Sequence, residues 1–258
     1  MPHEHRLWID RLSHRLGLSV WRAVLVFGIG LYTLFIVMYV AGGVAGGVPA
    51  TIADIVIYGL VFYVPLALGS LTASVYVRDK MVALEGYAIT MVEDPKAASD
   101  VIAPLSRLGP VAVISLGLFP AFALPYILDP NAPAPLATFL LLLPWSLVIW
   151  TAATALWVLG FSLVAVYRIG KLPMRLQPFT ADRTLGLRPF ASTTFRLTAV
   201  YYALVLVTIL SDVDAPVRPQ YTVARSLGFV FLGVLLFVLP LRSLHEKLAR
   251  VKAEKLSW

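Results

Sequence analysis

Six stretches of this chain contain no charged residue at all: 23–41, 55–77, 108–128, 136–167, 197–210 and 226–241. A bilayer's hydrocarbon core, ~30 Å thick, is crossed by about 20 apolar residues in helix. The first three stretches have that length. The fourth holds 32 residues, too few for two spans and a turn. It reads as one helix ~48 Å long that must tilt or project beyond the membrane. The last two reach span length only by taking in Thr194, Arg196 or Arg225 at their edges, where an arginine can extend to the headgroups. Over the whole chain 59% of residues are hydrophobic and 14% charged, against about 25% charged in soluble domains. Water could not solvate so much apolar surface, because a folded surface is already about half apolar. The expected fold class is all-α: a polytopic helical membrane protein with about six transmembrane helices.

Charge placement orders the spans. With six of them, segments 1–22, 78–107, 168–196 and 242–258 share one side and hold 19 of the 21 Lys and Arg residues. The opposite segments, 42–54, 129–135 and 211–225, hold only Arg218 and Arg225. Such asymmetry puts the basic side, and with it both termini, in the cytoplasm. It also accounts for the net charge of +7 without nucleic acid. The membrane units are then three hairpins, 23–77, 108–167 and 197–241. A four-span threading that drops the two short runs keeps the same sidedness for residues 1–196. The run 23–41 is too long for the apolar part of a cleavable signal, so it is expected to be retained.

Three cytoplasmic elements stand out. Residues 3–16 are amphipathic, with Trp8, Ile9, Leu12 and Leu16 on one face, which suits a helix at the inner leaflet attracted to anionic lipid. Loop 78–107 is expected to form a helical pair, the second helix starting at Asp94 as cap and Pro95 as first residue. In the tail, Leu241, Leu244, Leu248 and Val251 follow a 3-4-3 spacing, the rhythm of a short coiled-coil seam for a neighbouring subunit or for residues of a longer parent chain. Glu246 and Arg250 add an i,i+4 pair. Within the spans, "AGGVAGGV" at 41–48 is either a close-packing face or simply a helix end.

The apolar pattern breaks at "LQPFTADRTLGLRPFA", 176–191. Threading makes it the inner turn between the fourth and fifth spans. Thr180 or Asp182 can cap a short helix there, Gly186 permits a left-handed residue, and Pro189 biases Arg188 towards extended backbone. Arg183 and Arg188 would meet lipid phosphates or the acids of 78–107.

This stretch, with the later "LPLRSLHEKLARVKAEKL", resembles a set of prokaryotic multi-pass membrane proteins of unassigned function. These carry an H-P-D-x-x-G-G-L loop before a span and a P-L-x-x-L-H-x-x-L helix leaving the membrane. Asp182, Gly186 and Leu187 match the first pattern; Pro240, Leu241, Leu244, His245 and Leu248 match the second. Thr180, Ala181 and Leu185 stand where His, Pro and the first Gly would be. The likeness covers about the last 80 residues. It implies a shared scaffold in a prokaryotic cytoplasmic membrane, and no activity.

Catalysis is not expected. The chain has no cysteine, which excludes thiol nucleophiles and thiolate metal sites. No ionisable group lies centrally in a span, where a proton relay, ion-coupling site or intramembrane active site would need one. No metal or cofactor is expected. Ser70, Ser74, Ser115, Ser146 and Ser162 lack a nearby base and are read as packing residues. Two functions survive. The favoured one is a passive ion or small-solute pore formed by a homo-oligomer, with Asp54, Asp129, Asp212 and Asp214 at the outer mouth favouring cations. The other is a membrane-embedded signalling or scaffold module acting on a cytoplasmic partner through its C-terminal helix.

Overall fold

The computed structural model describes residues 6–47, 51–128, 135–176, 184, 186–210 and 219–256. Nearly all of these are helical, and no strand occurs among them. The helices are α1 (Trp8–Arg15), α2 (Val20–Ala45), α3 (Ile52–Asp54), α4 (Val64–Met91), α5 (Pro95–Ile102), α6 (Leu108–Ile127), α7 (Pro135–Lys171), α8 (Arg188–Leu210) and α9 (Pro219–Leu256). A π-helical stretch, Ile55–Tyr63, joins α3 to α4, and a 3-10 turn, Ala103–Ser106, follows α5. Five helices are long and apolar enough to cross a membrane. The count becomes six if Pro95–Ser106 and Leu108–Pro120, bent by 40°, form one broken span. Pro104 explains the break: it removes a donor and crowds the preceding turn. Pro110, in the first turn of α6, sits where a missing N–H costs nothing.

The fourth apolar run is a single helix, as expected. α7 has 37 residues and a length of ~56 Å. The second run does not stop at Val77. Its helix continues to Met91, so the first half of the expected inner loop prolongs a span. Val77, Met81, Leu84, Ala88 and Met91 are all buried along it; their 4-3-4-3 spacing is one helical stripe. The π-helical stretch ends two residues before Pro65. Proline excludes the carbonyl four residues earlier and offers no N–H, and wider hydrogen-bonded turns absorb that mismatch.

The chain divides into two compact units. The first comprises Arg6–Ser74 and Arg107–Trp157. Its core gathers Leu31, Phe35, Tyr63, Ala67 and Val148. Tyr63 is fully buried. Its ring lies 4.8 Å from Phe35 and 5.6 Å from Trp145, centroid to centroid. Its hydroxyl donates to the Pro144 carbonyl at 3.0 Å. Two proline-interrupted helices therefore meet at one aromatic residue. The glycine-rich end of α2 serves both anticipated roles: Gly42 faces Leu141 at close range, and Gly47 ends the helix with φ +72°.

α1 belongs to this unit, and the face it buries differs from the expected one. Of the apolar face expected to lie on lipid, Ile9 is instead buried within the protein, together with Asp10 and Ser13, while Leu16 is 52% exposed. Asp10 accepts from the Leu7 N–H at 2.8 Å, and Ser13 donates to the Asp10 carbonyl. These local bonds engage one Asp10 carboxylate oxygen and the Ser13 hydroxyl as this side packs inward. The Trp8 indole donates to Thr154 Oγ1 at 3.1 Å. The apolar stripe is thus divided between the protein and the outside.

The other unit comprises Val75–Ser106 and Val158–Trp258 within the described range. α8 and α9 pair along their length: the Tyr201 hydroxyl donates to the Phe229 carbonyl at 2.9 Å and that of Tyr202 to Val230 at 3.2 Å. Buried hydroxyls in both units mostly bond back to their own helix: Ser74 to Ser70, Thr151 to Val148, Thr154 to Trp150, Ser162 to Val158, Thr194 to Phe190 and Thr198 to Thr194. Ser146 does the same with Leu143. The packing role expected for Ser74, Ser146 and Ser162 has this physical form.

Candidate functional site

The most constructed polar region lies in the second unit, where the charged ends of α4, α7, α8 and α9 come together. Its first part is the join between α4 and the segment after α7. The Arg175 N–H donates to the Met91 carbonyl at 2.6 Å, and the Glu93 N–H to the Pro173 carbonyl at 3.0 Å. Val92 and Met174 thereby pair as an isolated antiparallel bridge. α5 then begins as the sequence implies: Asp94 accepts from the Lys96 N–H at 3.0 Å, with Pro95 in the first turn. Ala98, Ile102 and Leu105 are buried.

The second part holds the start of α8. Gly186 has φ +82°, a left-handed conformation that costs other residues about 1–2 kcal/mol. Its carbonyl accepts from the Tyr87 hydroxyl at 2.7 Å. The Tyr87 ring meets the edge of Phe190 at 5.8 Å, and Phe190 is fully buried. Arg188 is exposed and is the first residue of α8. The expected extended bias from Pro189 is overridden there. A proline in the first helical turn loses no hydrogen bond, and the Ala191 N–H closes that turn onto Leu187. Glu85 is buried in this same unit.

The third part is the crossing of α7 and α9. Ser243 donates to the carbonyls of Tyr167 at 3.3 Å and Pro240 at 3.2 Å. A Cβ on Gly170 would overlap Ser243 Oγ and lie 3.3 Å from Leu244 Cδ2. Only glycine lets the helices approach this closely. One turn on, the Lys247 ammonium donates to the Leu172 carbonyl, and Lys171 lies over the Tyr167 ring at 4.3 Å.

Of the anticipated turn residues, Gly186 and Arg188 are in this region; Asp182 and Arg183 lie outside the described residues. So do the mouth acids Asp129, Asp212 and Asp214, and the side chain of Asp54, which sits in α3. Leu241, Leu244 and Leu248 fall on α9, as the seam required, but Leu244 is buried against α7 of the same chain. That side chain is occupied within the chain. Leu241 and Leu248 are half-buried, and the Val251 side chain is outside the description. The charge pair seen on α9 is Arg242 with Glu246, at 2.8 Å, one turn before the pair anticipated.

The residues doing most of the joining, Tyr87, Gly170, Ser243 and Lys247, were not singled out in the sequence. Their partners lie 73 to 99 positions away, beyond the reach of local pattern. Around these joints, Lys96, Arg168, Lys171, Arg175, Arg188, Arg242 and Arg250 are exposed. The acids Glu93, Asp94 and Glu246 are exposed among them, and Glu246 pairs with Arg242, so this surface carries both signs with basic groups in excess on a fixed helical frame. Among the described residues no cluster of His, Asp or Glu could hold a metal ion. No family model matches this chain, and no curated protein or solved structure does either.

Proposed function

We propose that this chain is a membrane-embedded scaffold, whose apolar helices anchor a basic helical module that an acidic cytoplasmic protein binds. The observation that carries this is the way the module is built. Four separate segments are joined by bonds to backbone carbonyls, at Gly186, Met91, Pro173, Tyr167 and Leu172. Such joints hold side chains at fixed spacing, the preorganisation that recognition requires. The charge asymmetry of the sequence supports a cytoplasmic location.

A passive pore between copies is the second reading. Its support is the shallow burial of α2 and α9, whose most apolar windows are 28% and 22% covered, leaving faces for other copies.

Two reconstitutions of the same chain distinguish the readings. The full chain in nanodiscs is expected to retain specific cytoplasmic proteins, and the exposed double change Arg188→Glu with Arg250→Glu is expected to weaken retention about tenfold or more. In liposomes the wild type should pass no ions across voltage, pH and calcium. Undiminished retention by the double variant, together with ion flux, would replace the scaffold by the pore.

A further inference from the structure

The outward side of α1 carries a groove of about 320 Å³ lined by Trp8, Arg11, Leu12 and Arg15. The inward side is anchored. Ile9, Asp10 and Ser13 are buried, the Trp8 indole is bonded to Thr154, and the Trp8 ring meets Phe27 edge-on at 5.2 Å. The groove is therefore held in shape by the first unit and is not the surface of a loose terminal helix.

The groove is walled almost entirely by apolar atoms, the alkyl stems of Arg11 and Arg15 among them, and the exposed charged ends of the two arginines stand beside it. Trp8 and Leu12 are half-exposed and apolar; Arg11 and Arg15 are exposed. The two arginines are four residues apart, neighbours on one helix face. The helix's single acid, Asp10, is buried and accepts from the Leu7 N–H. α2 begins five residues after α1 ends, capped by Ser19, which accepts from the Arg22 N–H. Around that junction Leu16 and Trp21 are 52% and 48% exposed. Exposed tryptophan and arginine at the start of an apolar span mark the boundary between hydrocarbon and headgroups.

We infer that this groove binds the headgroup phosphate of an anionic phospholipid. Both guanidiniums reach the phosphate oxygens through paired N–H donors, a geometry that arginine matches and lysine does not. Trp8 and Leu12 cover the glycerol and the first acyl carbons. A free phosphate would satisfy the arginines and leave the apolar groove in water. A phospholipid satisfies both, and its chains continue along the span that follows.

The test uses the purified full chain in detergent, titrated with phosphatidylglycerol or phosphatidylcholine and read by native mass spectrometry. Wild type is expected to retain phosphatidylglycerol preferentially. Arg11→Gln with Arg15→Gln should lower that retention about tenfold or more and leave phosphatidylcholine retention and the melting temperature unchanged. The exposed pair Arg168→Gln with Arg188→Gln should leave phosphatidylglycerol retention within about twofold of wild type. The inference is overturned if the α1 variant retains phosphatidylglycerol like wild type, or if the control pair loses it equally. Displacement of the lipid by millimolar inorganic phosphate would also overturn it, making this a soluble-anion site.

Discussion

Gly170→Leu is expected to destabilise the chain in detergent by about 1–3 kcal/mol, and Gly170→Ala to destabilise it in the same direction by less. For alanine the sign is informative, because exchanging glycine for alanine inside a helix ordinarily stabilises by about 0.5–1 kcal/mol. At Gly170 the added methyl meets Ser243 Oγ, then Ser243 Cβ and Leu244, so Ser243 must turn away or α9 must shift from α7. Either change costs the Ser243 bond to Tyr167, and a shift also draws Lys247 off the Leu172 carbonyl. Gly160, ten residues earlier on α7, has open space where its Cβ would go. Gly160→Ala should be neutral or stabilising. Thermal unfolding of the two alanine variants side by side measures the difference, and equal midpoints would mean that α7 and α9 do not cross at glycine distance.

Tyr63→Ala is expected to cost about 3 kcal/mol or more, in the range of buried aromatic truncations. Tyr63→Phe should cost about 1 kcal/mol, the worth of one intramembrane hydrogen bond. The separation follows from what each change removes. Phenylalanine keeps the ring against Phe35 and Trp145 and loses only the bond to the Pro144 carbonyl. Alanine leaves a void among residues that lipid cannot reach, since Tyr63 has no exposed surface. A dry void forfeits dispersion contacts whether the surroundings are water or hydrocarbon. If phenylalanine proves as damaging as alanine in a chemical or thermal unfolding series, then the hydroxyl, not the ring, ties the two proline-interrupted helices together.

Much of this architecture is written locally. Charge-free length places α2 and α7, and Asp94 followed by Pro95 marks the start of α5. Gly186 marks a left-handed turn before α8. The extension of α4 to Met91 was harder to see, because hydropathy falls at Arg78, Asp79 and Lys80 while the stripe of Val77, Met81, Leu84, Ala88 and Met91 continues underneath. Periodicity carried that information and run length did not. The division of α1 was hidden for a different reason. Asp10 and Ser13 read as solvent-facing by type, yet they turn inward, with local bonds to Leu7 and Asp10. The candidate site was the least legible part. Gly170 carries no mark distinguishing it from Gly160 until Ser243, 73 positions later, is brought against it. The leucine rhythm of the tail correctly indicates a helix that buries something, but spacing alone does not say whether Leu244 meets α7 or another chain.

We propose that the apolar helices thread a bilayer with the basic module on its cytoplasmic side. The chain has no cysteine, so single cysteines introduced at the exposed positions Thr51 and Ser192 give an unambiguous reading. In intact expressing cells, a membrane-impermeant maleimide should label the cysteine at 51 and leave the one at 192 unlabelled until the cells are permeabilised. Labelling of position 192 from outside before permeabilisation would contradict the account.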